Sequence, residues 1–80
     1  MNDEDIVRRI GVLAADEREL ERSHAATGLD EDGVARLRSI ETALDQCWDL
    51  LRQRRARRET GQDPDAAAVR PESVVEHYQQ

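Results

Sequence analysis

Apolar side chains recur along this chain at alternating steps of three and four residues, the spacing that lines one face of an α-helix. Ile6, Ile10, Leu13, Glu17, Leu20 and His24 make the first such seam, and two of its six positions are polar. Asn2 or Asp3 can cap the free backbone N–H groups before it. Asp3, Glu4 and Asp5 then sit at the positive end of the helix dipole. A first helix is therefore predicted from about Asp3 to Ala26. Thr27-Gly28-Leu29-Asp30 reads as a stop and a restart, with Gly28 suited to a left-handed C-terminal conformation and Asp30 to the next cap. The second helix is predicted from Glu31 to Arg58. Its seam is Leu37, Ile40, Leu44, Cys47 and Leu51, widened by Val34, Trp48 and Leu50.

A turn of a few residues between two long helices lays them side by side and antiparallel. Residues whose numbers sum to about 57 then face each other. This sets Leu20 near Leu37, Leu13 near Leu44, Ile10 near Cys47 and Trp48, and Ile6 near Leu51, and it brings Arg52, Arg54 and Arg55 alongside Asp3, Glu4 and Asp5. Residues 1–60 thus form the hairpin and residues 61–80 a turn and tail. Gly61 ends the second helix, Pro64 cannot continue one, and Pro71 fits the first turn of a short helix through about Gln79 with Val74, Val75 and Tyr78 on one side. The predicted class is all-α: a coiled-coil-like antiparallel hairpin with a short C-terminal helix.

Composition changes this picture in one respect. The chain has 80 residues, 38% apolar and 38% charged, with no Phe, one Trp and one Tyr. A single hairpin of that make-up has a thin core. Association is expected to cover the second flank of each stripe, first as a homodimer completing a four-helix bundle, or else as a subunit of a larger complex.

The net charge of −6 opposes general nucleic-acid affinity. The charge is nonetheless unevenly spread: residues 1–33 carry ten acids and four Arg, residues 34–58 seven Arg and three acids, and residues 59–80 five acids and one Arg. Arg52, Arg54, Arg55, Arg57 and Arg58 form the one dense basic cluster. Arg presents a forked donor set to phosphate or carboxylate groups. The cluster therefore offers a candidate surface for nucleic acid or an anionic protein, although the helix dipole and the acidic start of the first helix also account for it. A single cysteine, Cys47, excludes an internal disulfide and suits a reducing cytoplasm. No apolar run approaches a membrane span, and the acidic start is unlike a signal peptide.

Candidate chemistry is sparse. Trp48, within the Leu44 to Leu51 face, is either a binding anchor or a core residue, because indole offers a large contact area and an N–H donor. The candidate partner-binding residues are Leu44, Trp48, Leu51, Arg52, Arg54, Arg55 and Arg58. Glu17 and His24 lie two turns apart with no nucleophile beside them. His24, Cys47 and His77 lack zinc-ligand spacing, and no phosphate loop or nucleophile elbow is present. Neither catalysis nor a metal or cofactor is expected.

The stretch Leu44-Asp45-Gln46-Cys47-Trp48-Asp49-Leu50-Leu51-Arg52-Gln53-Arg54-Arg55-Ala56, followed by Asp63-Pro64-Asp65 and Val69-Arg70-Pro71, closely resembles an actinobacterial family of short uncharacterised proteins, a domain of unknown function. The resemblance covers nearly the whole chain and is most specific in the second helix. It implies a bacterial cytoplasmic origin and no known reaction.

Overall fold

A computed structural model describes the backbone of residues 1–78 and side chains through Val75; Gln79 and the predicted apolar contact of Tyr78 lie outside the described residues. Helix α1 spans Asp3–Ser23, α2 spans Glu31–Glu59, a single 3-10 turn spans Pro64–Ala66, and α3 spans Glu72–Tyr78. All described elements are helical. Helix α1 packs along α2, and both the 3-10 turn and α3 pack on α2 as well. The molecule measures 50 × 25 × 16 Å, long and thin as a hairpin should be. No helix of the described residues is long and apolar enough to cross a membrane.

Each boundary has a local cause. At the start of α1, the Asn2 side chain accepts from the backbone N–H of Asp5 at 2.8 Å while the Asp5 carboxylate accepts from the Asn2 N–H at 3.1 Å, a reciprocal capping box. The helix ends three residues earlier than the periodicity predicts. Ser23 Oγ donates to the carbonyl of Leu20 at 3.1 Å, and His24 Nδ1 lies 3.0 Å from the same oxygen, so side chains satisfy a carbonyl of the last turn. His24 therefore closes the helix instead of extending the seam.

Gly28 at φ 74° carries the chain through the reversal. The carboxylate of Asp30 then caps α2 by accepting from Gly33 N–H at 2.8 Å. At the far end Gly61 takes φ 76°, Gln62 N–H donates to Arg57 O at 2.7 Å and Gly61 N–H to Arg58 O at 3.3 Å, the paired bonds of a Schellman stop.

The core is as thin as the composition implies. Ile6, Leu13, Ile40, Leu50 and Val75 are its buried apolar residues among those described. Ile10, Leu20, Leu37, Leu44, Cys47 and Leu51 are half-buried on the two seams. Of the three residues predicted to widen the α2 stripe, Leu50 is buried but Val34 and Trp48 are exposed. The tail returns along a flank of α2 away from Trp48, and Val34 lines a groove near the start of α2 that the described tail does not fill.

Candidate functional site

Three flanks of α2 follow from this packing, and they divide the predicted site residues among them. One flank faces α1. There the predicted pairing of the basic cluster with the acidic start of α1 is present. Arg54 Nε donates to Asp3 Oδ1, and Arg58 lies 2.8 Å from Asp3 Oδ2. Hydrogen bonds from Arg54 first, then Arg58, hold the Asp3 carboxyl below its ordinary value of 3.8. Arg54 also donates to Pro64 O at 3.2 Å and to Asp65 Oδ1 at 2.9 Å. It is a buried clamp joining α1, α2 and the 3-10 turn, so it is committed within the chain instead of facing a partner.

The second flank, under the tail, is built on polar groups that sequence patterning does not single out. Asp49 is fully buried, at 0% exposure. Arg70 grips it with both arms, Nε to Oδ2 and a terminal nitrogen to Oδ1, each at 2.9 Å, and Gln53 donates to Oδ2 at 3.0 Å. Gln53 also donates to Ala68 O at 2.8 Å and Gln46 to Arg70 O at 3.2 Å. Gln46, Asp49 and Gln53 thus receive the backbone and the one Arg of residues 59–80. Helix α3 follows and buries Val75 on α2. A groove of about 650 Å³ continues this flank toward the start of α2, lined by small residues such as Ala35, Ser39 and Ala43.

The third flank is open. Trp48 stands on it at 48% exposure, and Val7 of α1 beside it at 57%. With half-buried Leu51 they floor a cleft of about 270 Å³ rimmed by Asp3, Arg52, Arg55 and Arg58. Leu44 is half-buried one turn before Trp48. The structure therefore brings Trp48, Leu51, Arg52, Arg55 and Arg58 together in one cleft, with Leu44 at its approach, and commits Arg54 to the buried clamp with Asp3 and Asp65. Arg52 is engaged within the chain. The cleft joins an indole face, aliphatic surface and guanidinium groups, which suits a protein segment with apolar and acidic side chains.

Cys47 is not set up as a nucleophile. Burial pushes the Cys47 thiol above its ordinary value, with Arg9 opposing it, which suppresses the reactive thiolate. Among the described residues no group of three or more His, Cys, Asp or Glu is placed to hold a metal ion.

Residues 2–80 match a family model described as protein of unknown function (DUF2630). The uncharacterized proteins Mb0922c of Mycobacterium bovis and Rv0898c of Mycobacterium tuberculosis are each 48% identical to the chain over 77 residues, covering 95% of it and 88% of the relative. No solved structure matches. These matches agree with the resemblance to an actinobacterial family of short uncharacterised proteins, and the chain belongs to the DUF2630 family.

Proposed function

We propose that this protein is a binding module, a structural or adaptor protein of the cytoplasm that docks another protein surface through the open flank of α2 and performs no catalysis. The observation that carries this reading is the position of Trp48. The largest side chain in the protein stays half-exposed beside exposed Val7, while the neighbouring Asp49 is fully buried. A Trp set among aliphatic groups with an Arg rim has the make-up of an interface anchor. The commitment of Arg54 to Asp3 and Asp65, together with the net charge of −6, favours a protein partner over nucleic acid.

The test is photo-crosslinking in cells, with a benzophenone amino acid replacing Trp48 and, as control, Arg18 on the exposed face of α1. A discrete crosslinked protein from position 48 and none from position 18 is expected. Equal or absent crosslinking at the two positions contradicts the reading.

A further inference from the structure

The open flank of α2 carries a charge pattern that reads oppositely in its two directions. Arg38, Glu41, Asp45, Trp48, Arg52, Arg55 and Glu59 follow one another at steps of three, four, three, four, three and four, so they share one face of the helix, with Arg38 at its edge, where it also borders the groove on the tail's flank. Going outward from Trp48 toward the start of α2, the signs are minus, minus, plus. Toward the end of α2 they are plus, plus, minus. The helical residues between Arg38 and Glu59 span about 31 Å at 1.5 Å per residue.

A face with this antisymmetry is complementary to itself when turned end over end. Two copies of α2 laid antiparallel across a twofold axis at Trp48 would set Asp45 opposite Arg52, Glu41 opposite Arg55 and Arg38 opposite Glu59, each twice. A parallel arrangement in register would oppose like charges at every one of these positions. The side chains of five of the six charged residues, Arg38, Glu41, Asp45, Arg55 and Glu59, make no ion pair or hydrogen bond among the described residues. Arg52 has an interaction within its own chain, and the pairing stands on the other residues without it. At the centre the two Trp48 side chains would meet, flanked by Leu44, Leu51 and Val7, which places the apolar contact in the middle and the charges at the rim.

We infer that the occupant of the Trp48 flank is a second copy of this chain, with α2 antiparallel to α2 across a twofold axis at Trp48. This rests on the docking reading above and supplies its partner. The symmetry is isologous, the common form for small dimers. A face about 31 Å long on a molecule 25 Å wide gives on the order of 600–800 Å² per copy, at the lower to middle range of specific interfaces. The result is a dimer that dissociates on dilution and weakens with salt.

Charge exchange tests the register. In a Glu41→Arg homodimer the introduced guanidinium faces Arg55 twice, and in an Arg55→Glu homodimer the introduced carboxylate faces Glu41 twice. Each variant should raise the dimer dissociation constant roughly tenfold, as read by analytical ultracentrifugation. An equimolar mixture of the two should restore association as a heterodimer, because both contacts are then opposite in sign. The chain carrying both exchanges should also recover a homodimer. Both positions are exposed, and circular dichroism checks that the helices are kept. A wild-type chain that stays at 9.1 kDa at high concentration, or single variants that weaken while the mixture fails to recover, overturns the inference. A monomer that crosslinks from position 48 to a different protein overturns the second copy and leaves the docking reading standing. A dimer indifferent to these charges and to Trp48→Ala overturns the second copy at this face, and equal or absent crosslinking from positions 48 and 18 overturns the docking reading as well.

Discussion

Trp48 and Asp49 are neighbours on α2 with exchanged environments: the indole is 48% exposed and the carboxylate 0%. Hydrophobicity alone would reverse them. The difference lies in what reaches each flank. The tail brings Arg70 and the carbonyls of Ala68 and Arg70 to the flank of Asp49, where Gln53, Gln46 and the bidentate ion pair satisfy the buried polar atoms. None of the described buried side-chain polar atoms lacks a partner. A buried carboxylate is tolerable when paired and hydrogen-bonded in this way. Among the described residues, no part of the tail lines the cleft at Trp48. One flank is therefore closed by polar chemistry under the tail, and the other holds Trp48 uncovered among charged side chains, the flank proposed above as the docking surface.

The largest loss is expected at Asp49. Asp49→Ala leaves the Arg70 guanidinium without its acid and Gln53 without one acceptor. A loss of about 3 kcal/mol is expected, at the low end for a broken buried pair because Arg70 is partly exposed. Urea unfolding measures it, and release of the tail should appear as faster amide exchange in residues 66–75. Val75→Ala attacks the same flank through its apolar contact. It should cost about 2 kcal/mol, since two buried methyl groups are lost from a nearly inaccessible site.

Acid weakens the Asp3–Arg54 clamp. The Asp3 carboxyl is held below 3.8 by Arg54 and Arg58, so the stabilisation from its ionised form is complete above that value and is lost as the pH falls through the lower folded one. Asp3→Asn should lower the melting temperature at about pH 7, and the gap from wild type should narrow toward about pH 2.5. A gap that stays constant would mean the contact acts through packing instead of charge. The smallest effect on the isolated chain is expected at the open flank. Trp48→Ala should change its stability by less than about 1 kcal/mol, because the side chain is already half in water.

Much of the frame is legible in the sequence because it is set by local rules. The seams of α1 and α2, the caps at Asn2 and Asp30, and the reversals at Gly28 and Gly61 each depend on a few neighbouring residues. The Asp3–Arg54 contact is legible too, since an antiparallel hairpin fixes its register and the charge split supplies the two signs. The early end of α1 is not, because it depends on how the side chains of Ser23 and His24 turn back to Leu20 O. Least legible is the clasp of Asp49. Gln46, Asp49 and Gln53 at helical spacing read as a solvated stripe. They become interior only when a tail lacking strong periodicity folds over them, with the acid and Arg70 separated by 21 residues. The one available signal is that Arg70 is the sole Arg in the acidic residues 59–80.

Trp48 is the only tryptophan, so its fluorescence reports directly on the open flank. Emission and acrylamide quenching followed over a concentration series, with mass measured on the same samples, are the most direct test of a second copy docked on that flank. The expected result is a blue shift and reduced quenching as the mass rises from 9.1 kDa toward twice that value, with Glu41→Arg delaying both to higher concentration. A half-exposed indole unchanged at every concentration, while the mass stays at one chain or doubles through some other face, would contradict it.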